Sequence, residues 1–148
     1  MGRSYEPERL TVTIPGQPIG KERPRLNTKT GRVYTPQRTR DYEARIAAAW
    51  KEAYPEQEPS EDSAKTPYRL YVEAYFQIPK GVNQSDRERM INRDIFPGKK
   101  PDLDNICKAA MDGLNGVAYV DDAQIVSIMS YKVYSEEPRL VLTLQEVI

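Results

Sequence analysis

The sequence predicts an α+β fold with two layers, in which two main helices pack on one face of a small mixed β-sheet. Four segments alternate apolar and polar residues or concentrate β-branched and aromatic ones, as strands do. Two longer segments repeat apolar residues at helical spacing. The predicted order β-α-β-α-β-β and the length of 148 residues fit one domain, so residues 1–148 are treated as a single unit.

The first half of the chain predicts one strand, a long basic loop and one helix. Residues 10–14 alternate in polarity and stop at a proline, which cannot donate a backbone hydrogen bond. Residues 15–37 are rich in proline and glycine, and loops of this length are mostly functional or disordered. The helix begins at Thr35-Pro36 or at Thr39, and it ends near Tyr54-Pro55.

The second half predicts a surface linker, a strand, a loop with one helical turn, an amphipathic helix and an antiparallel hairpin. Aromatic and β-branched residues support the strand, and apolar residues three and four positions apart support the helix. Short loops between two alternating segments favour a hairpin. The segments are residues 55–67 for the linker, 68–78 for the strand, 80–101 for the loop with its turn at 85–92, 103–114 for the helix, and 124–134 with 139–147 for the hairpin.

The formal net charge is zero, with 22 basic and 22 acidic residues, yet the charges are segregated. Residues 17–40 carry seven cations and one carboxylate, a local charge of +6, whereas residues 52–62 carry −5. A basic patch attracts a phosphate backbone, and Tyr34 is placed to stack on a base. A merely solvated loop is the alternative. The candidate phosphate contacts in the loop are Lys21, Arg23, Arg25, Arg32, Arg38 and Arg40.

The cysteine content and the hydropathy indicate the cellular compartment in which we expect the protein. Cys107 is the one cysteine, so no internal disulfide can form and we expect a reducing environment. It lies on the apolar face of the second predicted helix, which indicates a core position. The sequence has no run of about 18 apolar residues and no apolar signal region, so we expect a cytoplasmic protein with no membrane partner.

Acidic residues gather around the second predicted helix. Asp102 precedes it, Asp104 lies in its first turn, and Lys108 and Asp112 follow at four-residue steps on one stripe. Asp121-Asp122 then precede the next strand. Simpler explanations of these acids are a helix N-cap, pairing of Asp112 with Lys108, and a turn at Asp121-Asp122.

The chemistry of these side chains favours phosphodiester hydrolysis. Carboxylate oxygens suit Mg²⁺, whereas zinc catalysis needs histidine and cysteine ligands, and this chain has no histidine and only one cysteine. Bound magnesium lowers the pKa of a water, orients it for in-line attack and neutralises the leaving oxygen. Lys108, beside the acids, would stabilise the extra negative charge of the pentavalent transition state.

Residues 101–125 carry a specific motif, PDLDNICKAAMDGLNGVAYVDDAQI. It resembles the signature of the RusA family of Holliday junction resolvases, endodeoxyribonucleases borne by phages and prophages. Residues 14–25, IPGQPIGKERPR, are similar to the strand end and basic segment that open that family's sequences. The resemblance covers most of the chain. The matching positions of the longer motif are Asp102, Asp104, Asn105, Lys108, Asp112, Gly113, Leu114, Asp121, Asp122, Ala123 and Gln124.

The resemblance implies a magnesium-dependent homodimer of bacterial or phage origin that acts in DNA recombination and repair. Mn²⁺ would substitute for Mg²⁺, and no small-molecule cofactor is implied. Such an enzyme nicks two strands of a four-way DNA junction symmetrically. Carried over by position, the metal-binding catalytic acids are Asp102, Asp104 and Asp122, the catalytic lysine is Lys108, and the residues supporting the ligands are Asn105 and Asp121.

The approach to the first acid departs from the family pattern. Lys99-Lys100-Pro101 stand where some members carry arginines. Lys99 and Lys100 still attract phosphate and join the candidate DNA contacts, but they cannot make bidentate guanidinium contacts.

The metal site requires Asp122 to meet Asp102 and Asp104, either from the same chain or from a neighbouring subunit. In extended backbone only one of Asp121 and Asp122 can face a metal, and the family pattern favours Asp122. One ion and two ions both fit the pattern. The candidate dimer surfaces are the tyrosine-rich strand over residues 68–78 and the C-terminal hairpin, with a helix and its adjoining strand favoured.

Two other functions compete with junction resolution. One is a metal-dependent nuclease for flaps or forks. The other is a junction-binding architectural protein whose acids hold only a structural ion. An Asp104→Asn variant separates these classes, because an enzyme loses magnesium-dependent nicking while it keeps DNA binding.

Overall fold

The computed structural model describes residues 6–147. It contains six strands, three α-helices and two short 3₁₀ turns, Glu61–Ser63 and Asp122–Gln124. In chain order the elements are β1 (Arg9–Pro15), β2 (Arg25–Leu26), β3 (Val33–Tyr34), α1 (Gln37–Ala53), β4 (Tyr68–Gln77), α2 (Gln84–Ile91), α3 (Leu103–Leu114), β5 (Ile125–Ser135) and β6 (Arg139–Glu146).

Four strands form one mixed sheet in the order β1-β6-β4-β5. β6 is antiparallel to both β1 and β4, whereas β4 and β5 are parallel. Val12 lies opposite Leu142, and Leu142 lies opposite Val72 on the other side of β6, so the three buried side chains cross the same face. The α+β class with a mixed sheet is therefore confirmed.

The predicted C-terminal hairpin is wrong, because β5 and β6 do not pair with each other. β4 lies between them and pairs with both. The connection over residues 136–138 crosses the end of β4, a span of about 10 Å that three residues can bridge. β4 buries every second side chain completely, and a strand with so apolar a face gains most from a central position.

α1 and α3 pack side by side on one face of the sheet, as predicted. Their apolar stripes meet the inward side chains of β1, β4 and β6 in one core. The two helices approach closely at Gly113, where a Cβ would lie 2.8 Å from the Cβ of Ile46. The largest fully buried side chains of this core include Trp50, Tyr42, Tyr119, Phe76 and Ile46.

α2 is a third helix where the sequence indicated a single helical turn. Its N-cap is Asn83, whose Oδ1 accepts a hydrogen bond from the backbone N–H of Asp86 at 2.8 Å. α2 contacts β5, and Met90 and Val133 are both buried. Since the face of α2 carries few apolar residues, its helical spacing was weak in the sequence. None of the helices in residues 6–147 has the length and apolar character needed to cross a membrane.

The basic loop is held against the helices at its start and projects a small ribbon further on. Gly20 lies against Pro101 and Asn105, where a Cβ would come within 2.8 Å of the proline side chain. Beyond it, β2 and β3 pair as a two-stranded antiparallel ribbon. The ribbon exposes Leu26, Val33 and Tyr34 to solvent. The loop therefore has a fixed base and a protruding tip.

The connection from β4 to β5 determines where the acids lie. Parallel neighbours require a crossover, and here α2 and α3 provide it. The crossover returns the chain from the carboxyl end of β4 to the amino end of β5. α3 consequently starts near the carboxyl ends of these two strands and finishes near the amino end of β5.

Candidate active site

Asp102 and Asp104 lie at the start of α3 with exposed carboxylates. Asp102 occupies the N-cap position in an extended conformation, but its side chain makes no capping hydrogen bond to the helix. The N-cap explanation therefore does not account for the Asp102 carboxylate. The two carboxylates repel each other, have free oxygens and lie beside a helix N-terminus. Such a site is suited to a cation, or to a ligand that carries a cation.

Lys108 follows Asp104 by one helical turn and is exposed on the same stripe. Within residues 6–147 no salt bridge involves Lys108. Asp112, the expected i,i+4 partner of Lys108, pairs instead with Lys21 of the basic loop. Since no acid holds it, the Lys108 ammonium group is available to an anionic ligand beside Asp104.

Lys21 anchors the start of the basic loop. Its ammonium group donates to Asp112 and to Glu43 of α1, the latter at 3.1 Å, and its backbone N–H donates to the Asn105 carbonyl at 2.8 Å. Burial by itself lowers the pKa of Lys21, but the hydrogen bonds and charges of Asp112 and Glu43 outweigh it and raise the pKa. Lys21 therefore ties three elements together, a role that its place in a basic run did not indicate.

A cleft of about 840 Å³ joins the basic loop to the start of α3. Asp102 and Asn105 lie on one wall, and the loop forms the other. Six of the eight predicted DNA contacts line it, whereas Arg32 is exposed on the ribbon and Arg40 on α1. The cleft thus places an acid at the edge of a strongly cationic surface. Its cationic residues are Lys21, Arg23, Arg25, Arg38, Lys99 and Lys100.

Lys132 of β5 is a further cation at this site that the sequence analysis missed. It shares a smaller cleft of about 560 Å³ with Asp102, Lys99 and Phe96, and its ammonium group donates to the Lys99 carbonyl. Burial and the charge of Lys99 lower the pKa of Lys132, while the nearby Asp102 raises it, and the net direction is downward. Its position on the helix-facing side of β5 was the signal that could have indicated it.

Asp121 and Asp122 lie at the other end of α3, in a turn before β5. A hydrogen bond to Asp121 raises the pKa of Asp122, and burial with the negative charges of Asp121 and Asp112 raises it further. The turn is not extended, because Asp122 begins a 3₁₀ helix. Asp121 is exposed and Asp122 half-buried, so both carboxylates reach solvent.

Gln124 holds this turn in place. Its side-chain oxygen accepts from the backbone N–H groups of Val120 and Asp121 at 2.8 and 3.1 Å. Its amide nitrogen donates to the carbonyls of Ser63 and Thr66 at 2.6 and 3.0 Å. Gln124 is buried, and its amide connects the turn to the linker before β4. The sequence indicated Gln124 only as part of the motif.

The structure does not bring Asp122 to Asp102 and Asp104 within one protomer. Asp102 lies near Lys132, whereas Asp122 precedes Ile125 at the beginning of β5. Seven residues of strand separate Ile125 from Lys132, a distance of about 23 Å. Among residues 6–147, no three His, Cys, Asp or Glu side chains form a group that could hold a metal ion. Of the three predicted metal ligands, the structure of residues 6–147 therefore places only Asp102 and Asp104 at the same end of α3.

Comparisons with known proteins show the family to which the chain belongs. The family model described as Endodeoxyribonuclease RusA matches residues 15–145, which include both ends of α3 and the basic loop. A protein of Bacillus subtilis (strain 168), named Uncharacterized protein YqaN, is 32% identical over 142 residues. That match covers 93% of this chain and 96% of the relative. The chain belongs to the RusA endodeoxyribonuclease family.

Proposed function

We propose that this protein is a magnesium-dependent, structure-selective endodeoxyribonuclease that resolves four-way DNA junctions by paired nicks during recombination and repair. One observation carries the proposal: Asp102, at the start of α3, lines a cationic cleft, and the exposed Asp104 follows it in the first turn of the helix. A phosphate backbone lying in that cleft would pass beside the Asp102 carboxylate, two residues from Asp104. Family membership supports the same chemical class.

The donor set fits a hard divalent cation. Asp102 and Asp104 offer carboxylate oxygens only, and Mg²⁺ commonly takes one or two carboxylates and fills its other positions with water and phosphate oxygens. Mn²⁺ accepts the same ligands. When bound, the ion supplies an activated water and charge neutralisation at the leaving oxygen. Asp102 and Asp104 would hold it, with Asn105 at the base of the site.

The remaining cations position the scissile phosphate. Lys108, one turn beyond Asp104, supplies a positive charge where negative charge grows in the transition state. Lys99, Lys100 and Lys132 surround Asp102 and hold the adjacent phosphates. A point-charge ammonium group tolerates varied phosphate geometry, which suits the distorted backbone of a branched substrate.

The basic loop and its ribbon give the shape recognition. A four-way junction presents converging backbones, so a cationic cleft beside a protruding ribbon binds it through phosphates with little dependence on sequence. Tyr34 is exposed on the ribbon, where its ring can stack on a base near the crossover. A homodimer would present two such clefts, and two sites account for two symmetric nicks. Action on DNA in bacteria places this function in the cytoplasm.

A cleavage assay with three labelled substrates tests the proposal. Mobile four-way junctions, forks and linear duplexes of the same sequence are titrated with Mg²⁺, and the nicked strands are mapped at nucleotide resolution. The proposal requires paired nicks in opposing strands of the junction that depend on Mg²⁺. Preferred cutting of forks would show that the protein is a flap or fork nuclease and does not act mainly on junctions. Tight junction binding without any nick would show that the protein binds junctions and does not cleave them.

A further inference from the structure

The smaller cleft of about 560 Å³ adjoins the cationic cleft at the start of α3. Lys99, Lys100 and Asp102 line both clefts, so the two clefts meet at these residues. The smaller one also contains Phe96, and it is called the Phe96 cleft below. The proposed function places phosphates at the lysines and gives no ligand to the apolar part of the Phe96 cleft. A ligand bound there would lie directly beside the metal-binding acids.

Phe96 presents an aromatic ring at this cleft. Of the two phenylalanines in the chain, Phe76 is fully buried, whereas Phe96 is 57% exposed. The segment that carries Phe96 is tied to the end of α2, because the backbone N–H groups of Asp94 and Ile95 donate to the Arg89 carbonyl at 2.7 and 3.2 Å. A single exposed apolar side chain is common on protein surfaces. An exposed ring that a hydrogen-bonded backbone holds next to a catalytic acid is better explained by a ligand.

The lining of the Phe96 cleft combines apolar surface with free cations. Its apolar part consists of Phe96, Pro97 and Leu103. An apolar side chain of a partner protein would gain nothing from ammonium groups around it, whereas a nucleic acid strand offers a flat apolar base together with the phosphates on either side of it. Three lysines border the apolar part, and within residues 6–147 none of them forms a salt bridge; they are Lys99, Lys100 and Lys132.

We propose that the Phe96 cleft receives the nucleobase next to the scissile phosphate, unstacked from its neighbours in the DNA and stacked on the Phe96 ring. The proposal rests on the proposed function and adds a base-binding site to it. A phosphate held beside Asp102 has a sugar and a base attached to it, and the Phe96 cleft begins at that same residue. Lys99 and Lys100 then contact the phosphates that flank the bound base.

A base-binding site beside the acids would distinguish branched DNA from linear duplex. In a continuous duplex each base is paired and stacked on both sides, so withdrawing it costs free energy. At a branch point the stacking is interrupted, and the cost of withdrawing the adjacent base is smaller. Linear duplex can therefore lie in the cationic cleft through its phosphates while its bases stay stacked. Filling both clefts at once favours nicking next to a branch point.

Photo-cross-linking locates the base without metal or activity. 5-Iodouracil replaces one base at a time around the branch point, and complexes with the wild-type protein are irradiated in EDTA. An iodinated base cross-links efficiently to an aromatic ring that stacks on it. We expect cross-links to Phe96, identified by mass spectrometry of the digested complex, from the junction and not from linear duplex of the same sequence. Junction complexes without a Phe96 cross-link at any position, or equal yields from linear duplex, would overturn the proposal.

A cycle of protein and substrate changes tests whether the ring acts through that base. Wild type and Phe96→Ala are compared in single-turnover nicking at subsaturating protein, on junctions that are intact or abasic at the cross-linked position. Loss of one base stack should slow Phe96→Ala by about 5- to 150-fold on the intact junction. On the abasic junction the ring has no partner, and the two proteins should agree within about twofold. The same ratio of rates on both junctions would show that Phe96 acts elsewhere.

Three further variants separate stacking from apolar contact. Phe96→Leu keeps an apolar side chain without a ring and should nick slowly, whereas Phe96→Trp keeps the stacking surface and should nick much faster than Phe96→Ala. Ile91→Ala, at a 48% exposed position of α2 outside both clefts, is the control and should nick like wild type. Because Phe96 is exposed, its variants should unfold at the wild-type urea midpoint. Wild-type nicking by Phe96→Leu would rule out a stacking role.

The outcomes separate the base-binding site from the nuclease activity. A wild type that nicks junctions at a rate unchanged in the Phe96 variants would refute the base-binding site and leave the proposed function standing. A wild type that cross-links through Phe96 to junctions and never nicks them would refute the proposed nuclease and support the base-binding site. A wild type that does not bind junctions in these experiments would refute both.

Discussion

Lys21 and Asp112 form a salt bridge across 91 residues of sequence. It fixes the base of the basic loop to the last turns of α3, while Glu43 of α1 accepts from the same ammonium group. The three side chains are about a quarter to a third exposed, so solvent screens them only in part. The Lys21 side chain therefore helps to hold the basic loop against α1 and α3.

Replacing that lysine should destabilise the protein. Lys21→Met leaves the Asp112 and Glu43 carboxylates close together without a cation, and we expect a loss of about 1–3 kcal/mol in the free energy of unfolding. The measurement is urea denaturation at pH 7, with Lys65→Met, at an exposed position, as the control. Equal stability of the two variants would argue against the anchoring role.

The same salt bridge has a defined pH dependence. The folded state raises the pKa of Lys21 above its ordinary value of 10.5, so the folded protein holds this proton more tightly. The stabilisation is complete below pH 10.5 and is lost as the pH rises through the higher folded pKa. Wild type should lose more stability than Lys21→Met across this alkaline range. Parallel stability curves for the two proteins would contradict the assignment.

Gly113 should not tolerate a side chain. An alanine Cβ there would lie 2.8 Å from two side-chain carbons of Ile46, so α1 and α3 would have to separate. Overpacking costs about 1–3 kcal/mol, and the higher helix propensity of alanine offsets about 1 kcal/mol of it. We expect Gly113→Ala to lower the melting temperature and Gly113→Ala with Ile46→Ala to cost less than the sum of the single changes. Strict additivity would count against the contact.

Gln124→Leu should disturb both stability and the acidic turn. The change leaves backbone groups of Val120, Asp121, Ser63 and Thr66 without their partner, and such losses cost about 1–3 kcal/mol in a buried site. The expected result is a lower urea midpoint, together with weaker nicking at saturating DNA. Gln84→Leu at an exposed position of α2 should change stability by less than about 0.5 kcal/mol.

The cationic cleft predicts the salt dependence of DNA binding. Arg23 and Arg25 line the cleft and are exposed. Replacing both with glutamine should weaken junction binding and reduce the slope of log K against log salt by about 2, roughly one unit for each lost phosphate contact. The matched control is Arg89→Gln on α2, outside the cleft. A slope equal to that of wild type would remove these two arginines from the DNA interface.

The sequence correctly predicted the helices and strands whose apolar pattern is complete within their own segment. The predicted bounds of α3, residues 103–114, agree with the structure because its apolar stripe is complete and acids precede it. The segments of β1 and β4 agree to within one residue at each end. α2 was only partly indicated, since Met90 is its one buried residue and the core contributes little to its pattern.

Relationships between distant segments were not accessible from the sequence. The sequence predicted two alternating strands near the C-terminus but not that β4 would lie between them, because strand order depends on the whole core. Lys132 was missed since its neighbour Asp102 is distant in sequence, and Gln124 acts through carbonyls about 60 residues away. The sequence indicated Asp102, Asp104 and Asp122 as one set of acids. Only the folded chain shows that Asp122 lies at the other end of α3 from Asp102 and Asp104.

The assignment of the active site to the start of α3 is tested most directly by the rate of magnesium-dependent junction nicking by Asp104→Asn, measured beside its junction affinity. We expect a loss of at least about a hundredfold in nicking, as for a metal ligand, while the affinity in EDTA changes little. Asp62→Asn, an exposed acid outside the site, should nick like wild type. Nicking by Asp104→Asn at the wild-type rate would contradict the assignment of the active site to the start of α3.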